Sequence, residues 1–127
     1  MQQLTKENWK NIEIVDYFLY KDTLFFHGHW RFFKKFEEII RKAKRLVVGH
    51  FHPAIDLSDG EKSERFKCFV VGKLKRKEII FVPSFFPLVE GTNILRNSEF
   101  VRLGVKHKRV YVVSPDKKVL DFGEVNW

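Results

Sequence analysis

The sequence predicts an α/β fold in which one strand–helix–strand unit is followed by mostly antiparallel strands. Two observations lead to this expectation. Residues 31–44, RFFKKFEEIIRKAK, repeat apolar side chains at three- and four-residue steps, as an amphipathic helix does, and they lie between two short apolar runs. Beyond residue 65, apolar stretches of strand length alternate with turn signals. The 127 residues are expected to form one domain, 1–127.

The segments before the helix predict a strand, a turn and a second strand. NIEIVDYFLY, residues 11–20, alternates well enough for a strand, and Lys21-Asp22 is expected to form the turn. TLFFHGH, residues 23–29, is expected to be a buried strand with a loop at its C-terminal end. Because Gly28-His29-Trp30 offers no Ser, Thr, Asp or Asn cap, the first N–H groups of the helix are expected to be open to an anion.

RLVVGH, residues 45–50, completes the strand–helix–strand unit. Such a unit is almost always parallel, and the carboxyl ends of parallel strands lie at the same edge of the sheet. His27 and His29 follow the first strand, and His50 and His52 follow the second. We therefore expect four imidazoles to converge on one crevice, where open α/β sheets bind their ligands.

The remainder of the chain predicts mainly β structure. A polar loop, DLSDGEKSE at 56–64, is expected after Pro53, with a turn at Asp59-Gly60. The other expected elements are strands at 65–75 and 77–85, an irregular stretch at 83–93, a short helical turn at 98–104 and a closing hairpin formed by 108–115 and 117–123.

Composition limits the class of protein. The formal charge of +8 would attract nucleic acid or phosphorylated substrates, although the 24 basic and 16 acidic residues are mixed along the chain. No run is long and apolar enough to span a membrane, and the first residues lack the apolar core of a signal peptide, so a cytoplasmic protein without membrane contact is expected. Cys68 is the only cysteine, which excludes an intramolecular disulfide and a cysteine-based zinc cluster, and it is expected to be buried in a strand.

The histidine pairs are open to two interpretations. Neutral imidazole is the commonest side-chain metal ligand near neutral pH, and two pairs at equivalent strand ends favour metal binding. The alternative is a structural or phosphate-contacting cluster that holds no metal. Gly28 and Gly49 would supply the backbone freedom that the sharp turns require. His107, in VKHKR, is expected on the surface.

FFHGH followed by VVGHFHPA resembles the fourth and fifth motifs of the calcineurin-like metallophosphoesterases, and IIFVPSFFPLVEGTNIL is similar to a stretch of their ICC-like branch. The resemblance runs from about residue 12 to residue 96. It implies half of a four-layer α/β/β/α metallophosphoesterase sandwich. It also implies that His27 and His50 bind one metal ion, that His52 binds a second, and that His29 lies near the substrate phosphate.

The implied chemistry is phosphoester hydrolysis by a metal-activated water between paired divalent ions, with manganese expected and iron, zinc or nickel as alternatives. The first three family motifs, Asp-x-His, Gly-Asp-x-x-Asp and Gly-Asn-His-Asp/Glu, do not occur in the sequence. No catalytic acid or base is identified in this chain. Three imidazoles without a carboxylate cannot offset two divalent ions, so a dinuclear site is expected to be weak in the isolated chain.

Three hypotheses follow from this incomplete motif set. In the first, a separate polypeptide supplies the missing motifs and the two chains form one phosphoesterase, with a nucleic-acid phosphodiester as the favoured substrate. Met1 lies just downstream of the expected Gly-Asn-His-Asp position, which suits such a division. In the second, the chain is a non-catalytic module that binds a metal ion or nucleic acid. In the third, it is a fragment of a longer product or a decayed enzyme. Half a sandwich would leave an unpaired edge on its first strand and apolar strand faces without a cover, so a second polypeptide or self-association is expected.

Overall fold

The computed structural model describes residues 11–96 and 98–125. Within these residues the chain is a mixed α/β protein built on one strand-rich sheet. The strands are β1 (Tyr17–Tyr20), β2 (Thr23–Phe26), β3 (Arg45–Val48), β4 (Pro53–Ser58), β5 (Ser63–Leu74), β6 (Lys77–Phe81), β7 (Thr92–Asn93), β8 (Lys106–Val113) and β9 (Val119–Glu124). The helices are α1 (Trp30–Lys35), α2 (Glu37–Lys42) and α3 (Ser98–Leu103), and a 3-10 turn spans Ile94–Arg96.

The centre of the sheet confirms the expected parallel unit. β2 runs parallel to β3, with Phe25 opposite Val47, and β6 joins β3 in the same direction, with Val47 opposite Ile80. β1 pairs antiparallel with β2, and this is its one strand partner among the described residues. The carboxyl ends of β2 and β3 therefore lie side by side, and the other edge of β1 has no strand beside it there.

The expectation of one continuous helix over 31–44 is wrong in part. The helix is divided at Phe36, whose backbone angles of φ −107° and ψ 25° end α1 and precede α2. The Phe36 ring is buried and meets the ring of Tyr17 edge-on at a centroid distance of 5.0 Å. Apolar residues of both short helices pack on the same core, so the apolar periodicity continues across the break and does not reveal it.

The polar loop expected at 56–64 is wrong in part, because residues 56–58 belong to β4 and residues 63–64 to β5, which leaves a loop at 59–62. Asp56 lies opposite Arg65 of β5, and its Oδ1 accepts a hydrogen bond from Arg65 Nε at 2.7 Å. The charge of the Asp56 carboxylate, which favoured a loop in the sequence, is thus neutralised by Arg65 on the neighbouring strand. The turn at Asp59-Gly60 is confirmed, since the Asp59 carboxylate accepts backbone hydrogen bonds from Glu61 and Lys62.

The second half of the chain is mostly antiparallel, as expected. The twelve-residue strand β5 pairs with β4, β6 and β8, and β8 forms the closing hairpin with β9. Cys68 of β5 is fully buried, and this burial raises the pKa of its thiol to about 12. Most of 83–93 is irregular, although Thr92–Asn93 pairs with β4 as a short parallel strand. In the described part of the chain, no helix has the length and apolar character that a membrane span requires.

The two faces of the sheet differ sharply in burial. One face carries the core, and its side chains of β2, β3, β5 and β6 include the fully buried Leu24, Leu46, Val70 and Ile79. We call the opposite face of the sheet the open face. On it, the alternate residues of these strands and one residue from β1 form a row. Its members are Phe18, Phe25, Val47, Ile80 and Val71. Phe18 is 56% exposed and Phe25 39% exposed, so the expectation of a fully buried β2 is wrong for this side.

Candidate functional site

Two loops meet at the carboxyl ends of β2 and β3. The Gly49 N–H donates to the carbonyl of Phe26, so the loops remain together after the strands end. Gly28 has φ +95°, and a Cβ at this position would lie 2.7 Å from the Gly49 carbonyl oxygen. This confirms the expected need for glycine at 28. Gly49 itself has no left-handed conformation, and an added Cβ would come no closer than 3.4 Å to a neighbouring atom, so the same expectation is wrong there.

Three of the four predicted histidines converge at this edge, and we call His27, His29 and His50 the imidazole cluster. His27 Nε2 lies 3.1 Å from His50 Nδ1, with the ring centroids 4.9 Å apart. The His29 ring lies 5.0 Å from the ring of His50. The 3.1 Å between these nitrogens is a hydrogen-bond distance, with one neutral imidazole donating and the other accepting. It is also close to the separation of about 3.3–3.4 Å between two nitrogens bound at about 2.0–2.1 Å to one tetrahedral ion. A small movement of the rings would therefore let both bind one metal ion.

The backbone of the second loop is strained at both of its histidines. His50 has φ 76° and His52 has φ 48°, in the left-handed region that side chains other than glycine rarely adopt. Such a conformation costs roughly 1–3 kcal/mol. It also occurs at Lys21, Lys75, His107 and Lys117, so it does not by itself mark a functional site. Phe51 between them is buried against the rings of Phe81 and Phe100, at centroid distances of 4.9 and 5.3 Å. The buried ring anchors the loop, so the strained backbone is held by packing.

His52 is exposed and lies close enough to affect the electrostatics of the cluster. Its positive form would lower the pKa values of both His27 and His50. The carbonyl of His52 accepts a hydrogen bond from the Thr92 N–H at 2.8 Å. Gly91, at φ +90°, packs directly on this carbonyl, because an added Cβ would be only 2.5 Å from the oxygen. The segment 83–93 therefore supports the backbone that carries His52.

Burial and mutual repulsion favour the neutral forms of His27 and His50. Partial burial is the main reason why the pKa of His27 lies below 6.5, and positive charge on His29, His52 and Arg31 would lower it further. The pKa of His50 is also lowered, first by burial and then by the neighbouring imidazoles. A neutral imidazole has a lone pair for a metal ion, so both side chains are ready ligands near neutral pH.

A carboxylate that the sequence reasoning missed lies beside the cluster. Glu99 Oε2 of α3 is 3.7 Å from His50 Nε2, and its charge raises the pKa of His50 against the effect of burial. Glu99 lies at the ring nitrogen of His50 opposite to the one that faces His27, so the expectation of imidazoles without carboxylate ligands stays a prediction. No motif in the sequence marks Glu99, because α3 reaches the site only through the packing of Phe100 on Phe51.

The predicted free amino end of the helix is occupied. His29 is the N-cap of α1, and its Nδ1 accepts a hydrogen bond from the Arg31 N–H at 3.3 Å. His107 lies on β8, exposed as expected, with its Nδ1 3.4 Å from a carboxylate oxygen of Glu124. Among the residues that the structure describes, no three His, Cys, Asp or Glu side chains are already arranged to hold a metal ion. Within these residues the imidazole cluster alone is therefore not a complete set of metal ligands.

Comparisons with known proteins found no relative from which a function could be transferred. No family model, no curated protein and no solved structure matches the chain.

Proposed function

We propose that this chain is the C-terminal part of a metal-dependent phosphoesterase of the calcineurin-like type, whose dinuclear site is completed by a separate N-terminal chain. In this proposal the sheet is half of a four-layer α/β/β/α sandwich. The single observation that carries it is the 3.1 Å approach of His27 Nε2 to His50 Nδ1 at the carboxyl edge of two parallel strands. The motifs FFHGH and VVGHFHPA, which bring these rings together, give the proposal its chemistry.

Each histidine has a separate role in this proposal. His27 and His50 bind one divalent ion, preferably manganese, and His52 binds the second. His29 faces the substrate phosphate, and it must do so through Nε2, because Nδ1 accepts the Arg31 N–H. Paired ions would hold the phosphate, lower the pKa of a bound water and neutralise charge that develops on the oxygens.

The charge balance supports the need for a second chain. Neutral imidazoles bring no negative charge, and among residues 11–96 and 98–125 the carboxylate within 4 Å of the cluster is that of Glu99, 3.7 Å from His50 Nε2. Two divalent ions would carry four positive charges into a site beside Arg31, whose charge already lowers the pKa of His27. Carboxylates from a partner would offset this charge, and Asp-x-His and Gly-Asn-His-Asp motifs are the expected source.

A non-catalytic metal- or nucleic-acid-binding module is the alternative, and one surface favours it. A groove at the amino ends of the parallel strands is lined by five cationic and two acidic side chains: Lys21, Lys44, Arg45, Lys73, Arg76, Asp22 and Glu78. This groove lies at the edge of the sheet opposite to the imidazole cluster. Phosphate contacts there would weaken steeply as salt concentration rises.

Co-expression tests the proposed function. The chain is produced with a polypeptide from the same organism that carries Asp-x-His and Gly-Asn-His-Asp, and hydrolysis of bis-p-nitrophenyl phosphate is measured with manganese. Activity is expected in the mixture and not in either chain alone, and His27→Ala should abolish it, whereas the control variant His107→Ala should retain it. If the mixture shows no gain over the separate chains, the phosphoesterase proposal fails. Salt-sensitive DNA binding by this chain alone, unchanged by His50→Ala, would favour the module.

A further inference from the structure

The open face forms a continuous apolar row across five strands. Phe18 of β1 lies opposite Phe25 of β2, which lies opposite Val47 of β3. Val47 lies opposite Ile80 of β6, and Ile80 opposite Val71 of β5. Residues that are paired in this way project from the same face of a sheet. The strand register therefore places five apolar side chains in one line.

The row is less buried than the residues that alternate with it, since Val47, Ile80 and Val71 are half-buried and its two phenylalanines are exposed. Leu24, Leu46 and Ile79, which alternate with members of the row, are 0% exposed. In contrast, Phe18 is 56% exposed and Phe25 39% exposed. Neighbouring exposed apolar side chains of this kind are typical of interaction sites when they form a large patch.

The open face continues into the imidazole cluster. One groove is lined by Phe18, Phe25 and Val47 together with His27 and Gly49, which belong to the two loops of the candidate site. A protein layer that covers the row therefore also contacts His27. A partner that docks on this face would therefore also limit access to His27.

The charges near the row are already paired within the chain. Arg45 Nε donates to Glu78 Oε1 at 2.7 Å beside Val47 and Ile80, and Arg109, opposite Val71, donates to Asp121 at 2.8 Å. These two ion pairs add no net charge to the row. The formal charge of +8, summed over the whole chain, would attract an acidic protein and oppose association with a second copy.

We infer that the open face is the docking surface of an acidic partner protein, which covers the row with an apolar sheet or helix face and places carboxylates beside His27. This inference rests on the proposed function, since the carboxylates are those that the dinuclear site lacks. A second copy of the chain would cover the row equally well in apolar terms. It would, however, repeat the +8 charge and lacks the acidic motifs.

The test is purification of the tagged full chain from cells of its own organism, with identification and quantification of what accompanies it. Phe18→Lys and Phe25→Lys place a charge on the row, and Phe122→Lys is the control, because Phe122 is 45% exposed on β9 and lies outside the row. The expected result is a stoichiometric acidic partner bearing Asp-x-His and Gly-Asn-His-Asp. Either row variant should lower the affinity for it about tenfold or more, and Phe122→Lys should not. Thermal unfolding of each variant excludes loss of fold as the cause.

Several outcomes would overturn the inference. It fails if the row variants retain the partner, if wild type is a dimer that the row variants dissociate, or if the chain purifies as a monomer with no such partner. His27→Ala separates this inference from the proposed function. If the His27→Ala complex forms and still hydrolyses phosphodiesters, the proposed function fails and the docking surface stands. If the row variants form complexes that hydrolyse phosphodiesters with metal, the function stands and the docking surface is wrong.

Discussion

His27 Nε2 and His50 Nδ1 lie 3.1 Å apart, although 23 positions separate them in the sequence. Their approach follows from the parallel register of β2 and β3, in which Phe26 lies opposite Val48 immediately before the two loops. The buried side chains of these strands fix the register, because a shift of one residue would turn each apolar core residue outward. The backbone fold alone therefore brings the two imidazoles together.

Gly91→Ala should destabilise the protein through its effect on the His52 backbone. The new Cβ would lie 2.5 Å from the His52 carbonyl oxygen, and the position has φ +90°. Alanine at 91 would clash with the His52 backbone and would also carry the cost of a left-handed conformation. The free energy of unfolding should therefore fall by about 2–4 kcal/mol. Urea denaturation gives this value.

Gly60→Ala is the matched control for that substitution. Gly60 has φ +98°, but no atom lies within 4 Å of the position that its Cβ would take. Only the conformational cost of about 1–2 kcal/mol is expected there. Equal losses of stability in the two variants would show that Gly91 does not press on His52.

The stability of the protein should decrease as the pH falls below about 6.5. The folded pKa values of His27 and His50 lie below the unfolded value of 6.5, so the unfolded chain takes up these two protons more readily. Acid therefore favours unfolding, and the stability is fully present above the unfolded pKa. Urea denaturation at several pH values between about pH 5 and pH 8 measures the slope.

The double variant His27→Gln/His50→Gln removes both groups and keeps neutral polar side chains. Its stability should depend less on pH than that of wild type between about pH 5 and pH 6.5. An unchanged slope in the double variant would mean that other groups cause the acid sensitivity. Any metal binding by wild type should also weaken as the pH falls, since a protonated imidazole has no lone pair for the ion.

Glu99→Gln should lower the pKa of His50 further. The Glu99 carboxylate, 3.7 Å from His50 Nε2, is the charge that raises this pKa, whereas burial and the other imidazoles lower it. Titration of the His50 ring protons by NMR measures the change directly. The pKa of His27 should move less, because Glu99 does not contribute to its shift. A rise in the His50 pKa would contradict the assigned interaction.

The parts of the fold that follow from local pattern were predictable from the sequence. Apolar runs at 23–26 and 45–48, separated by a helical repeat, gave the parallel pair and so the convergence of His27 with His50. The break at Phe36 was not predictable, because the apolar stripe continues through it. The spacing of apolar residues shows which side chains can pack on the core, but it does not show where the helix backbone breaks.

Long-range contacts account for what the sequence did not show. Asp56 lies in a strand because Arg65 pairs with it, and Glu99 reaches His50 only after α3 has packed on the core. The capping role of His29 has no common sequence signature, since Ser, Thr, Asp and Asn are the usual caps. The exposure of Phe25 could not be predicted, because a short apolar run is also consistent with a strand that is buried on both faces.

Manganese titration followed by NMR tests the central claim most directly, namely that His27, His50 and His52 bind divalent metal. The paramagnetic ion broadens the signals of nearby protons, so a small amount of Mn²⁺ detects even a weak, incomplete site in the 127-residue chain. We predict that the ring signals of these three histidines broaden first, that those of His107 remain sharp, and that His50→Ala weakens the effect about tenfold or more. Ring signals of His27, His50 and His52 that stay as sharp as those of His107 would contradict the account.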